Sequence, residues 1–349
     1  MIADNLVNPF NHLQELELPH EIVVMENWTE HYFFAGYDIE AGFGACVHVG
    51  RLPADPTIWR AVIQIYLPGE KLLVAKYHGR DGHARGPGAG PFKASCIDPF
   101  RLWAVEFDGA AFSTTRQEIM REVLRDGPAE PVKFHMLLEA AGPIFGRTDD
   151  HGEGRSSSTF HSEQICRMRG HIVYQGKRIE LSGTGVRDHS SGPRDYGPVI
   201  GDIWFHGCFP SGKIVQTQVV RFESFEIKTA YIFRGDGTPL EMVEIIEHPH
   251  VNSRDAGPQS LAADPLSEAA RNFKIVLKSR QGIEVIEGEL QHSHAITYFA
   301  PVEEFLGTDL TRPDGIQMCE APVKLRWNGE NGSGIRERVA RTGTLFACS

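Results

Sequence analysis

The chain has 349 residues, of which 41% are hydrophobic and 23% are charged, and its formal net charge is −11. This is the composition of a folded globular protein long enough for two domains, and the acidic balance disfavours nucleic acid and anionic membrane surfaces as partners. No window approaches the roughly 18 apolar residues that an integral membrane segment requires.

The first part of the chain is predicted to consist mainly of β-strands. Residues 59–67 and 72–77 are apolar, β-branched or aromatic runs on either side of a Pro-Gly turn, which is typical of a hairpin. One helix is predicted here, because Thr115 to Glu118 has the form of a capping box, an apolar stripe follows it, and Gly127 with Pro128 ends it.

A polar segment at residues 148–158 has linker composition, so we predict domains at 1–150 and 158–349. A second short helix is predicted at 302–306. Because strands do not alternate regularly with helices, the predicted fold class is mostly β, with two consecutive antiparallel barrels or sandwiches and one or two short helices. The strands predicted in the second domain are 172–174, 178–181, 214–222, 227–233, 240–246, 273–277 and 283–290.

The segment from Gly183 to Asp195 is the most informative in the chain. It interleaves three glycines and a proline with two arginines, two aspartates and a histidine. Glycines allow tight turns and a close approach to a ligand or a neighbouring strand, and the polar residues are the types that handle protons and anions. The segment therefore predicts either the wall of a functional site or a structural ion-pair cluster at a barrel corner.

The predicted catalytic residues are Asp188 and His189, supported by Arg187. A carboxylate beside an imidazole can set its tautomer and favour a proton donor near neutral pH. Adjacent residues on a strand point to opposite faces, however, so Asp188 and His189 need not touch, whereas Arg187 and His189 would share a face.

Substrate-binding residues are predicted on several segments that bring aromatic and titratable side chains together. Trp204 and His206 share a strand face with Asp202, and the same alternation places His161 and Glu163 together. For each segment, a partly buried structural strand is the alternative. The predicted set is Trp28, His161, Glu163, Arg194, Asp195, Tyr196, Trp204 and His206.

No metal or cofactor site is predicted. The His-x-His pairs at 248–250 and 292–294 have a spacing that ligates metals on strands, but the first contains a proline. The second needs a third ligand from elsewhere, for which Glu303 and Glu304 are near in sequence, and surface or rim histidines are the preferred interpretation. The glycine-rich residues 86–90 lack the pattern of a nucleotide-binding loop, and no Gly-x-Ser-x-Gly elbow accompanies Ser190.

The motif at 183–195, together with residues 173–183, 28–34 and 331–337, resembles a bacterial family related to the AttH-like and hydroxyneurosporene synthase (carotenoid 1,2-hydratase) group. The resemblance implies two consecutive lipocalin-like β-barrels and an apolar, often polyunsaturated small-molecule substrate. One position departs from the pattern, since Ser191 stands where that family usually has tryptophan.

The resemblance implies a cofactor-independent hydratase, dehydratase or isomerase acting on a C=C bond or a tertiary alcohol of a hydrophobic molecule. A binding protein without catalysis and a pericyclase-type cyclase remain alternatives, because fold similarity does not fix the reaction. Residues 1–5 have no signal-peptide features and the six cysteines are scattered, so a cytoplasmic protein with unpaired thiols is expected. No feature of the sequence indicates an oligomeric state.

Overall fold

The computed structural model describes residues 14–148, 160–193, 198–249, 271–299, 303–309 and 311–342. Within these ranges the chain is almost entirely antiparallel β-structure, which confirms the predicted fold class. Two compact units are present: residues 1–114 with 126–196, and residues 115–125 with 197–349. Arg194, Asp195 and Tyr196 of the predicted site lie outside the described residues.

The first unit contains one sheet of eleven strands. Along the order β4-β3-β2-β1-β11-β10-β8-β7 the sheet closes on itself, because β4 also pairs with β7. Closure leaves no exposed edge in this ring and gives it an interior, which large apolar side chains such as Trp103 and Phe92 fill. The strands are β1 (Trp28–Asp38), β2 (Phe43–Leu52), β3 (Asp55–Tyr66), β4 (Lys71–Gly79), β5 (Gly88–Ala89), β6 (Phe92–Asp98), β7 (Leu102–Thr115), β8 (Ala129–Ala140), β9 (Phe145–Thr148), β10 (Phe160–Tyr174) and β11 (Lys177–Pro193).

The second unit contains another sheet of eleven strands, in the order β15-β14-β13-β12-β22-β21-β18-β17-β16, with β19 paired to β20 and β21. Its apolar core is built around Trp327, Phe205 and Phe209. The strands are β12 (Val199–Cys208), β13 (Ile214–Phe222), β14 (Glu226–Phe233), β15 (Glu241–Met242), β16 (Glu244–Glu247), β17 (Asn272–Ser279), β18 (Gly282–Leu290), β19 (His294–Phe299), β20 (Glu303–Leu306), β21 (Ile316–Trp327) and β22 (Glu330–Arg341).

The compact units differ from the predicted domains, which were divided at residues 150–158. Strand β10 pairs with β8, and β11 pairs with β1, so both strands after the predicted linker belong to the first sheet. The glycine-rich motif on β11 consequently lies in the first compact unit rather than in the second. Local composition does not reveal this assignment, because β11 is hydrogen-bonded to β1, which lies more than 140 residues earlier in the chain.

The helical elements that lie wholly within the described residues are short, namely the 3-10 turn Gln14–Glu17 and the helix α1 (Arg116–Ile119). The predicted capping box is confirmed, since the Thr115 and Glu118 side chains each accept from the other's backbone N–H. The helix ends well before Gly127. No helix in the described part of the chain is long and apolar enough to cross a membrane.

The prediction of a second helix at 302–306 is wrong. Residues 303–306 form β20, whose main chain pairs with β19. Leu306 also accepts a hydrogen bond from the backbone N–H of Leu124, which joins the 115–125 segment to the second unit. These long-range main-chain bonds favour an extended conformation in a short segment whose local pattern is ambiguous.

Candidate active site

Strand β11 divides the motif residues between its two faces. Asp188 is opposite Phe33 on β1 and Glu163 on β10, whereas His189 is opposite Tyr32 and Ser162. Because side chains alternate along a strand, Arg187 and His189 face the interior of the closed sheet and Asp188 faces the other side. The structure thus separates Asp188 from His189, the two residues predicted to act as a pair.

On the interior face, Arg187 forms a buried ion pair with Glu17. Its Nη1 donates to Glu17 Oε1 at 2.8 Å, and its Nη2 donates to Gln164 Oε1 at 2.6 Å. The other Glu17 oxygen accepts from Trp103 Nε1 and from the backbone N–H of Phe100. Burial alone would raise the pKa of Glu17, but Arg187 and these hydrogen bonds hold that pKa below its usual range. The arrangement is a closed network in which Arg187 has its counter-ion.

His189 belongs to a second interior cluster. Its Nε2 lies 3.0 Å from Glu30 Oε1, and Arg51 Nε donates to the other Glu30 oxygen at 2.8 Å. Burial alone would raise the pKa of Glu30, but the hydrogen bonds from His189 and Arg51 hold that pKa below its usual range. The His189 ring stacks on Tyr32, with 3.9 Å between ring centroids.

His20 completes this cluster. Its Nδ1 lies 2.8 Å from Ser191 Oγ, and its backbone N–H donates to Glu30 Oε1. Burial and the nearby His189 lower the pKa of His20 to about 4, so its imidazole is neutral at pH 7. His189 Nδ1 and the Tyr32 hydroxyl have no hydrogen-bond partner among the described residues, whereas His20 is also hydrogen-bonded to the backbone of Leu16. The His189 nitrogen and the Tyr32 hydroxyl are therefore available to water or to a ligand group inside the first unit.

On the opposite face, Asp188 forms an acid/base cluster with two residues of β10. His161 Nε2 is hydrogen-bonded to Asp188 Oδ2 and lies 3.4 Å from Glu163 Oε1. The exposed fractions of the side chains are 27% for His161 and 18% for Asp188, so both are accessible, in contrast to the buried Arg187 and His189. One imidazole between two carboxylates can pass a proton from one group to another.

A cavity of about 470 Å³ lies in the first unit. Phe100, Ile144 and Gln164 contribute to its lining. Gln164 also fixes the ion-pair network, because its Nε2 donates to the carbonyl oxygens of Phe100 and Gly142 while its Oε1 accepts from Arg187. The volume is in the range of small-molecule sites.

The remaining predicted residues occupy other positions. Trp28 is buried at the start of β1, opposite Pro193. Trp204 and His206 lie in the second unit on β12, with their rings in edge contact at 4.0 Å between centroids, as expected for alternate residues of one strand. They belong to a different compact unit from Asp188.

Among the described residues of the first unit, two groups have ligand atoms close enough to hold a metal ion: His20 with Glu30 and His189, and His161 with Glu163 and Asp188. In each group the atoms lie within 4.8 Å of one another. Nitrogen and carboxylate ligands of this kind suit a divalent transition metal. Of the two His-x-His pairs, His248 contacts Thr217 at 2.7 Å, His294 contacts Glu320 at 3.0 Å, and His250 lies outside the described residues.

Sequence reasoning missed four residues of these clusters: Glu17, His20, Arg51 and Gln164. Gln164 is placed beside Arg187 by the pairing of β10 with β11, Arg51 lies on β2, and Glu17 and His20 come from the segment before β1, so the sequence around β11 does not indicate any of them. Glu30 had a weak signal, because it lies within residues 28–34, which carry part of the family resemblance and include the predicted Trp28.

Comparison with known proteins assigns the chain to a family and a fold. A family described as "Domain of unknown function (DUF7064)" matches residues 14–281, so the chain belongs to this family. An AttH-like protein of Nitrosomonas europaea has 15% identity and a TM-score of 0.50, over 92% of this chain and 98% of that one. The lipocalin-like fold and the expected resemblance to the AttH-like group are thereby confirmed.

Two further solved structures are similar over most of their length. CghA solved with Sch210972 has 11% identity and a TM-score of 0.50, over 97% of this chain and 98% of that one. Kievitone hydratase from Nectria haematococca has 11% identity and a TM-score of 0.47, over 89% and 88% of the two chains. At these identities the likeness concerns the fold. No curated protein sequence matches the chain.

Proposed function

We propose that this protein is a lyase or isomerase that adds or removes water at a C=C bond of a hydrophobic small molecule by acid/base catalysis. The observation that carries the proposal is the Asp188–His161–Glu163 cluster, in which an imidazole is shared between two carboxylates and remains partly exposed. Proton donors and acceptors held within hydrogen-bond distance of one another are what such a reaction requires.

In the hydration direction, one group of the cluster transfers its proton to an alkene carbon, and the adjacent carbon gains carbocation character. A water molecule then adds to that carbon and gives up a proton to a carboxylate of the same cluster. The cluster loses one proton to the alkene and gains one from the water molecule. Proton transfer through His161 between Asp188 and Glu163 then restores its starting protonation state. Dehydration is the same sequence in reverse, and neither direction requires a cofactor.

Arg187 and His189 have a positioning role in this proposal. Arg187 is occupied by Glu17 and Gln164, and His189 by Glu30 and Tyr32. Both anchor the interior side of β11 and thereby fix the position from which Asp188 projects on the other face. The shared fold with CghA, which was solved with Sch210972, supports a ligand-binding role for the protein.

The test is native mass spectrometry of the protein purified from its own host, comparing wild type with Asp188→Asn. We expect a bound apolar molecule that changes by the mass of one water with wild type, and a turnover rate about 10²–10⁴-fold lower with the variant. Glu180→Gln, an exposed carboxylate on the same strand, is the matched control and should behave as wild type.

The other outcomes separate the alternatives. The same unmodified molecule on both proteins would contradict catalysis and favour a binding protein. Conversion of the bound molecule to an isomer of the same mass, by both wild type and Asp188→Asn, would favour a cyclase that acts through shape and orientation.

A further inference from the structure

Arg336 is a charged side chain enclosed in the apolar interior of the second unit. It lies on β22, opposite Phe205 of β12 and Ala321 of β21, and is only 3% exposed. Phe205 and Ala321 belong to the apolar core, and the guanidinium lies 5.4 Å from the ring centroid of Phe273, which packs against that core. Arg336 is thus surrounded mainly by hydrocarbon.

Within the described part of the chain, no anion compensates this charge. Arg336 Nη1 is buried there without a hydrogen-bond partner. Two titratable groups act on its pKa: the cation Arg338, on the same face of β22, lowers it, and Cys319 acts in the opposite direction. Burial and Arg338 lower the pKa of Arg336 to about 10, which still leaves the guanidinium protonated at neutral pH.

An isolated charge in an apolar interior is strongly unfavourable, and folded proteins pair such groups or bring them a ligand. Arg338 differs in having a hydrogen-bond acceptor, because its Nη2 donates to Gln317 Oε1 at 3.0 Å and Gln317 Nε2 in turn donates to Thr308 Oγ1 at 2.8 Å. Arg336 lacks such support among the described residues. Its position suits an anionic group from outside the described residues.

We propose that Arg336 binds the carboxylate of an apolar small molecule in the interior of the second unit. A planar guanidinium can form two parallel hydrogen bonds with a carboxylate. A hydrated inorganic anion would lose its water against Phe205 and Phe273, whereas an apolar acid brings hydrophobic surface to the same residues. This binding site is independent of the proton chemistry proposed for Asp188.

The first experiment measures thermal unfolding without ligand, comparing wild type with Arg336→Met. We expect the variant to have an equal or higher Tm, because methionine removes an uncompensated buried charge and retains apolar contacts. Arg326→Met, at an exposed arginine on β21, is the matched control. If Arg336→Met lowers Tm by several degrees more than the control, the charge is already paired within the chain and the proposal is overturned.

The second experiment measures Tm with sodium decanoate at submicellar concentrations. For wild type and Arg326→Met we expect a rise of about 5 °C at a decanoate concentration roughly 100-fold above Kd, and no rise for Arg336→Met. Decanol tests the need for charge, and acetate tests the need for an apolar body. An equal response to decanol or acetate, a response retained by Arg336→Met, or no response to decanoate would each overturn the proposal.

Discussion

Arg187 and Asp188 are neighbours on β11, but they pair with different residues on opposite faces of the strand. Arg187 is buried and ion-paired with Glu17 at 2.8 Å, whereas Asp188 is partly exposed and hydrogen-bonded to His161. Breaking a buried ion pair costs more unfolding free energy than breaking an accessible one. The partner that remains in the buried pair is an uncompensated charge, whereas the partner in an accessible pair is solvated by water. Substitutions at these adjacent positions should therefore separate stability from activity.

We expect Arg187→Met to lower the free energy of unfolding by about 3–5 kcal/mol, because it leaves Glu17 buried without its counter-ion. Asp188→Asn should change it by about 1 kcal/mol or less. Urea unfolding followed by tryptophan fluorescence measures both. The double variant with Glu17→Gln should recover part of the Arg187→Met loss, and equal losses at positions 187 and 188 would contradict this division of roles.

His189→Gln distinguishes a positioning role from direct proton transfer. His189 is buried between Tyr32 and Glu30, so we expect a stability loss of about 1–3 kcal/mol from the broken buried hydrogen bond. Turnover per folded molecule, corrected by active-protein titration, should stay within about tenfold of wild type, since a general acid or base contributes about 10²–10⁴-fold. A loss as large as that of Asp188→Asn in a fully folded protein would return His189 to the catalytic set.

The glycines of the motif serve strand packing. A Cβ at Gly183 would lie 2.0 Å from the carbonyl oxygen of Tyr37, and one at Gly185 would lie 2.7 Å from that of Ala35, both on β1. We expect Gly183→Ala to destabilise the protein by about 2–3 kcal/mol through a shift of β11 against β1. Thermal unfolding checks this, with Ser182→Ala at the exposed neighbouring position as the control, and a Gly183→Ala protein as stable as wild type would argue against the close contact.

The sequence was informative where local patterns determine structure. Apolar and β-branched runs between turn residues predicted strands such as β3, β4, β13, β14 and β18, and the residues Thr115 and Glu118 predicted a cap that α1 adopts. The glycine spacing at 183–185 correctly indicated close approach to a neighbouring strand. Strand alternation also showed in advance that Asp188 and His189 need not touch.

The sequence was uninformative where the structure depends on pairing between distant strands. Nothing near Asp188 indicates that His161 lies across from it on β10, and nothing near Arg187 indicates Glu17, 170 residues away in the chain. The unit boundary was missed for the same reason, because β10 and β11 are held by β1 and β8 rather than by the residues that follow them. Burial without a partner, as at Arg336, also depends on the complete fold.

His20 should make stability depend on pH. Burial and His189 lower its pKa in the folded state from the usual 6.5 to about 4, so between these pH values the unfolded chain binds more protons than the folded chain. The stabilisation is therefore present above about pH 6.5 and is lost as pH falls toward 4, by up to about 3 kcal/mol. We expect His20→Gln to flatten the decline in unfolding free energy across this window in urea titrations, whereas His78→Gln, at an exposed histidine, should leave it unchanged. A decline of the same slope in His20→Gln and wild type would mean that other groups, the buried carboxylates Glu17 and Glu30 among them, account for it.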